Sequence, residues 1–201
     1  MPAPVDHEQR RQKITEIVAR IISHEGLDAV TIREVAAAAG YSTTIVTHYF
    51  ASKRDLLLET YRAAAARAQG RVDKALGRDD ADLHGYLEAL LPLDQESLRD
   101  WRVYFAFWQV ASIDIVFAKE QRRRMSQVRK MIAATVAARF RTDQSPPIRN
   151  LNLVAKRLLT VLLGIAVQAI FDPRGWSAAR QREFLADEIR TMFARVPEKI
   201  N

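Results

Sequence analysis

The 201 residues include no cysteine, which excludes disulfides, thiolate metal sites and cysteine nucleophiles and leaves nothing that points to an oxidising compartment. Glycine is sparse, at seven residues, and none of it forms a phosphate-cradling loop. The four histidines, His7, His24, His48 and His84, are scattered without zinc-type spacing. No acid, base and nucleophile converge in the pattern that an enzyme needs, and no cofactor or metal is expected. No segment alternates as a strand does, and there is no internal repeat. The first six residues lack the tripartite pattern of a signal peptide. The most apolar stretch, Leu158 to Phe171, is short for a bilayer and follows Lys156 and Arg157. These absences lead us to expect a cytoplasmic protein with no membrane partner.

Positive charge is abundant, at net +7, which invites a nucleic-acid reading. Its distribution does not support the obvious version of that reading. Residues 1–55 carry seven basic groups (Arg10, Arg11, Lys13, Arg20, Arg33, Lys53, Arg54) and seven acidic ones. The whole excess lies beyond residue 55, partly in the run Arg122-Arg123-Arg124, which spans several helix faces and reads as solvated surface. Local placement therefore has to carry any argument about DNA.

Helical periodicity runs through nearly the whole chain. Ile14, Ile17, Val18, Ile21 and Ile22 form a single apolar stripe, which Gly26 ends. Thr31 opens a short helix with Glu34 three residues on, the pattern of a capping box, and Gly40 closes it. Ser42 and Ser52 are placed to cap the next two helices, the second reaching about Arg78. Further helices are expected near 82–91, 97–116, 118–140, 149–171 and 177–195. Pro92, the Ser145-Pro146-Pro147 loop and the Asp172-to-Gly175 turn separate several of them. The expectation is an all-α chain of about nine helices: an N-terminal three-helix unit with a helix-turn-helix (1–54) and a larger helical domain (55–201).

Two short helices joined by a tight glycine-containing turn have helix-turn-helix geometry. At 100° per residue, Ile45, Val46, Tyr49 and Phe50 share one arc of the second helix, and Thr43, Thr44, Thr47 and His48 share another. One face packs. The other is short and polar, as a helix entering the major groove requires. The stretch TIREVAAAAGYSTTIVTHYFASKRDLL, residues 31–57, resembles the signature of the tetracycline-repressor (TetR) family. The resemblance implies that Ser42 caps the reading helix and that Thr43, Thr44 and Thr47 touch bases or phosphates. It further implies that His48 and Tyr49 reach the DNA backbone, that Lys53 holds a phosphate and that Thr31 donates to one. Thr44 and Thr47 depart from the glycine and tyrosine frequent there, which bears on the operator read and not on the binding mode. Arg10, Arg11 and Lys13 read either as a basic arm or as solvated charge.

The helix around Leu158 to Phe171 is apolar nearly all round, so it is expected to face a core on one side and a partner on the other. The TetR resemblance implies that the last two helices pair with their copies. Leu158, Leu162, Ile165, Ala169, Phe184 and Ile189 are the candidate homodimer contacts, with a monomer core as the other reading. Trp101, Tyr104, Phe105 and Trp108 form an aromatic stripe that is either core or the wall of an effector pocket, with Gln109, Ser112, Asp114 and Gln168 as candidate polar lining. The runs STTIVTHYFASK and Tyr104 to Trp108 are similar to the choline-responsive repressors of the glycine-betaine pathway. Aromatic faces bind quaternary ammonium groups. A hydrophobic, flat aromatic or choline-like effector is therefore expected.

Together these features give a dimeric transcriptional repressor that binds a pseudo-palindromic double-stranded DNA operator and is released by a small molecule. An activator of the same fold, or an all-helical carrier or enzyme, is the alternative.

Overall fold

The computed structural model describes residues 4–77, 82–142 and 150–194. Among them there are nine helices and no strand. The chain forms two compact units, Met1–Arg67 with Arg99–Lys119, and Ala68–Leu98 with Glu120–Asn201. This differs from a cut at residue 54. The long fourth helix contributes to both units, and the helix after Arg99 packs with the N-terminal residues. A cut read along the chain cannot register such a return.

The first unit holds α1 (Pro4–Glu25), α2 (Ile32–Ala39), α3 (Thr43–Tyr49) and the first part of α4 (Lys53–Leu76). It also holds α6 (Gln95–Ala111) from Arg99 onward and the start of α7 (Ile115–Thr142). The stripe Ile14, Ile17, Val18, Ile21 and Ile22 is buried against Val35, Ala36 and Ala39 of α2, Val46 of α3, Leu56 and Ala64 of α4 and Val103 of α6. Gly40 closes α2 at φ 70°, where a side chain would be strained. Its N–H donates to the Ala37 carbonyl and the Tyr41 N–H to that of Ala36, the Schellman pattern. At the other end the Thr31 hydroxyl accepts from Glu34 N–H at 3.1 Å. The Glu34 carboxylate turns instead to Arg33 Nε, 3.8 Å away, so the capping box forms only on the threonine side.

The 97–116 helix of the sequence reading is divided. α6 starts two residues earlier, where Asp94 accepts from Ser97 N–H at 2.7 Å and Ser97 accepts from Asp94 N–H at 3.1 Å. That backbone bond from Ser97 holds the Asp94 carboxyl below its ordinary range. α6 ends at Ala111, and Asp114 opens α7 by accepting from the N–H groups of Val116 (2.8 Å) and Phe117 (3.3 Å). Without glycine or proline, this turn has only its aspartate to betray it.

The second unit holds the rest of α4, α5 (Leu83–Glu88), most of α7, α8 (Leu151–Phe171) and α9 (Ala178–Ala194). Its core joins Val72, Leu83, Leu87, Ile132, Val136, Leu158, Leu162, Ile165, Leu185 and Ile189. Gln181 is buried and donates to the carbonyls of Pro92 (3.2 Å) and Trp176 (2.9 Å). With 21 residues, α8 is long and apolar enough to cross a membrane by length and composition, which corrects the shorter sequence estimate. It begins at Leu151, capped by Asn150, and not at Leu158. One of its faces is buried in the unit's core. Arg78, the Ser145-Pro146-Pro147 loop and residue 195, where the sequence reading places helix ends and a turn, lie outside the described residues.

Tyr86 is buried in this unit, and burial lifts its phenol to about 12, against a smaller downward pull from Arg124. A phenol raised this way in the fold stabilises it fully below the unfolded value near 10 and loses that contribution as pH climbs through about 12. Denaturant titrations from pH 9 to 12 should show a loss of roughly 2 kcal/mol that is absent from Tyr86→Phe.

Candidate nucleic-acid interface and aromatic cluster

α3 has seven residues. Its inner side is set by Val46 and the flanking Phe50, both fully buried, with Ile45 and Tyr49 half-buried. Thr43, Thr44, Thr47 and His48 are all exposed, so the two faces lie as the sequence divides them. The Ser42 hydroxyl caps the helix by accepting from Ile45 N–H at 3.3 Å. Ser42 and Thr31 each keep an O–H donor while capping, and both are exposed. Thr47 Oγ1 donates within the helix to the carbonyl of Thr43 (3.1 Å) or Thr44 (3.2 Å). This local bond is easily exchanged for an outside acceptor.

The cations around α3 are partly committed. α1 is helical from Pro4, so Arg10, Arg11 and Lys13 are helix residues and not an extended arm. Arg11 donates to the Tyr49 carbonyl at 3.4 Å, pairs with Glu59 at 3.5 Å and lies over the Phe50 ring. Lys13 lies over the Tyr41 ring. Lys53, exposed in the first turn of α4, donates to the Leu27 carbonyl at 3.3 Å and retains two further N–H donors. Beside it Arg54 pairs with Asp114 at 2.6 Å and covers the Phe117 ring. Tyr49 hydroxyl and His7 Nδ1 are 2.9 Å apart. The sequence reading passed over His7 and Arg54 because their partners are 42 and 60 residues away.

A second cluster lies in the same unit. Tyr61 stacks on Phe107 with ring centres 3.8 Å apart, and Phe107 packs on Phe117. Trp101 meets Tyr104 and Trp108 edge-on at 5.5 and 6.0 Å, and Phe105 leans on Trp108. Tyr104 donates its hydroxyl to the Ala64 carbonyl at 3.0 Å. The Trp108 indole N–H is buried and has no hydrogen-bond partner among the described residues, a costly state unless something else accepts from it. The four candidate aromatics therefore do come together, but their candidate polar companions do not join them. Ser112 is exposed and donates back to the Gln109 carbonyl, Gln109 is itself exposed, and Asp114 caps α7. Gln168 is exposed on α8, in the other unit.

The candidate dimer contacts need correction. Leu158, Leu162, Ile165 and Ile189 lie in the core of the second unit of a single chain and Ala169 is buried too, so they are closed to a second copy. In a helix apolar all round, the sequence does not say which face turns inward. On α8 and α9 the exposed large apolar side chains among the described residues are Leu153, Phe171 and Phe184, which are 41%, 71% and 44% exposed.

A short helix with a polar outer face, set in a capped tight-turn pair and matched by a family of bacterial regulatory proteins, belongs to a helix-turn-helix regulator of transcription. Residues 14–60 match the family of bacterial regulatory proteins named tetR, and residues 79–194, more than half of the chain, match the BetI-type transcriptional repressor C-terminal family. The chain belongs to the TetR family, with a C-terminal region of the BetI repressor type.

Among its relatives is the HTH-type transcriptional regulator PksA of Bacillus subtilis, 28% identical over 86% of this chain and 84% of that protein. The HTH-type transcriptional regulator BetI of Vibrio campbellii is 25% identical over 93% and 94%. A transcriptional regulator from Saccharomonospora viridis, solved in complex with choline, superposes with a TM-score of 0.81 at 25% identity, covering 91% of this chain and 96% of that one. A Rhodococcus regulator shares the fold with the same TM-score at 23% identity, covering 92% and 96%.

Asp114 both caps α7 and pairs with Arg54. Asp114→Ala should lower unfolding stability by about 1–2 kcal/mol in urea titrations, whereas an exposed neighbour such as Ser112→Ala should change it by under about 0.5 kcal/mol.

Proposed function

We propose that the chain is a cytoplasmic repressor that reads a pseudo-palindromic operator as a homodimer and is released by a quaternary ammonium ligand of the choline type. The exposed Thr43, Thr44, Thr47 and His48 face on a helix held rigid by Val46 and Phe50 carries the DNA part of this reading. Small hydroxyls allow close approach to base edges, and one such helix reads few base pairs, so two copies are needed for two half-sites. The spare donors of Lys53 and the outward O–H groups of Thr31 and Ser42 are suited to phosphates flanking α3.

For the second copy, the outer faces of α8 and α9 offer Leu153, Phe171 and Phe184. A cleft of about 640 Å³ lies along them, lined by Leu153, Val161 and Met192 together with Lys156, Arg157 and Glu188. Gly164, exposed on α8 with nothing near its missing side chain, leaves room for close helix contact.

The ligand part rests on the aromatic cluster and on the choline bound by the S. viridis regulator. Ring faces of Trp101, Tyr104 and Trp108 suit a trimethylammonium group, and the choline hydroxyl would supply the acceptor that the Trp108 indole N–H lacks. Movement of these rings would reach Phe117, then Arg54 and Asp114, and through them the first turn of α4 beside Lys53. The ligand releases DNA if it binds the altered arrangement more tightly than the DNA-bound one.

A gel-shift series with half-sites enriched from random duplexes tests the DNA reading. Binding should depend on half-site spacing, and indifference to it would remove the dimer. Thr47→Ala should change base preference at one step, a shift of about 1–3 kcal/mol, while Lys53→Ala should weaken all sequences alike and flatten the salt slope by about 1 per contact. Calorimetry with choline tests the ligand reading. Trp108→Ala should weaken binding at least tenfold, roughly the worth of one desolvated cation–π contact, and equal affinity would take Trp108 out of the site.

A further inference from the structure

We propose that His7, with His48 and Tyr49, forms a second phosphate-binding element at the edge of the groove-reading face, and that it makes operator affinity rise as pH falls. The proposal rests on the operator reading above. It adds an α1 residue to the interface and gives the protein a proton-linked affinity for DNA.

The geometry is a three-ring cluster joining two elements far apart in sequence. The ring centres of His7 and His48 lie 5.7 and 5.3 Å from that of Tyr49, and 6.5 Å from each other. Both imidazoles are exposed, so neither is a core filler. Tyr49 is half-buried, and its carbonyl is fixed by Arg11. Its hydroxyl lies 2.9 Å from His7 Nδ1; where the hydroxyl donates, the neutral imidazole carries its proton on Nε2. The outcome is a positioned N–H donor on the far side of the ring, one residue's reach from exposed His48. In the imidazolium form Nδ1–H donates to the Tyr49 oxygen instead, Nε2–H stays free to donate outward, and a positive charge is added.

Among the described residues, the charged groups around the cluster leave this role open. On α1, Glu8 accepts from Gln12 at 3.3 Å, and Arg10 and Arg11 are the neighbouring cations. On α4, Glu59 is taken by Arg11 (3.5 Å) and Arg62 (2.7 Å). On α3, His48 and Tyr49 are themselves the facing groups. Among the described residues, neither His7 nor His48 is paired with a carboxylate. They do not form a metal cluster with other ligating groups either. An acceptor with full negative charge is what two such donors fit, and the duplex backbone supplies one beside α3. A phosphate favours imidazolium over imidazole, so binding takes up protons and affinity grows as pH falls.

The test is fluorescence anisotropy of the full chain on a labelled duplex enriched from a random library, between pH 8 and pH 6 at fixed ionic strength. Wild-type affinity should rise roughly tenfold, His7→Gln should cut the rise to about threefold, and His7→Gln with His48→Gln should flatten it. Glutamine keeps hydrogen-bonding capacity and does not titrate, and circular dichroism checks that each variant stays folded. A wild-type profile without the rise, or a His7→Gln profile parallel to wild type, overturns the proposal while leaving the operator reading intact. A parallel but lower profile would mark His7 as a mere support for Tyr49 and also overturns it. Failure to enrich any duplex would take down the operator reading and this proposal with it.

Discussion

A seven-residue helix has almost no stability of its own in water, because nucleation costs more than one turn of hydrogen bonds returns. Everything that α3 does depends on its being held from behind. Val46 enters the core built by the α1 stripe and α2, and Phe50 closes that core just past the helix end. Ser42 caps the front, and the Arg11 guanidinium takes the Tyr49 carbonyl at the back. The three-helix arrangement is thus the condition for the reading helix to exist, and no separable scaffold lies beneath it.

This constraint also resolves the charge balance. A DNA-binding region with no net positive charge lacks the general field that draws in a polyanion. Yet Arg11 and Lys13 are spent on carbonyls, carboxylates and ring faces that hold helices together. Around α3, the groups proposed to meet DNA are hydroxyls, helix termini, imidazoles and the residual donors of Lys53. Affinity built this way depends on aim more than on field strength, and aim is what a rigidly backed helix provides.

Much of this was legible in the sequence because it is encoded locally. Ser42, Thr31, Gly26 and Gly40 mark helix ends by steric and capping rules that act over four residues, and the structure follows them. The α3 faces follow from the helical repeat alone. What escaped was set by distant partners. The α6–α7 turn has no glycine or proline, and Asp114 in it could equally have been a mid-helix carboxylate. In α8, apolar residues on every side give no phase, so the sequence offers Leu158 and its stripe either to a partner or to a core, and they lie in the core. The return of α6 to the N-terminal helices depends on Arg67 reaching buried Asp100 and Tyr104 reaching the Ala64 carbonyl, contacts 33 and 40 residues apart that no local pattern reveals.

The separation of the two faces of α3 has an evolutionary consequence. The residues that hold the helix and those proposed to meet the groove are different, and the latter are exposed. Exchanges among small polar residues at 43, 44, 47 and 48 therefore leave folding nearly untouched. Operator choice can drift, duplicate and diverge in descendants of this chain without compensating changes in its interior. Stability and addressing are inherited as independent traits.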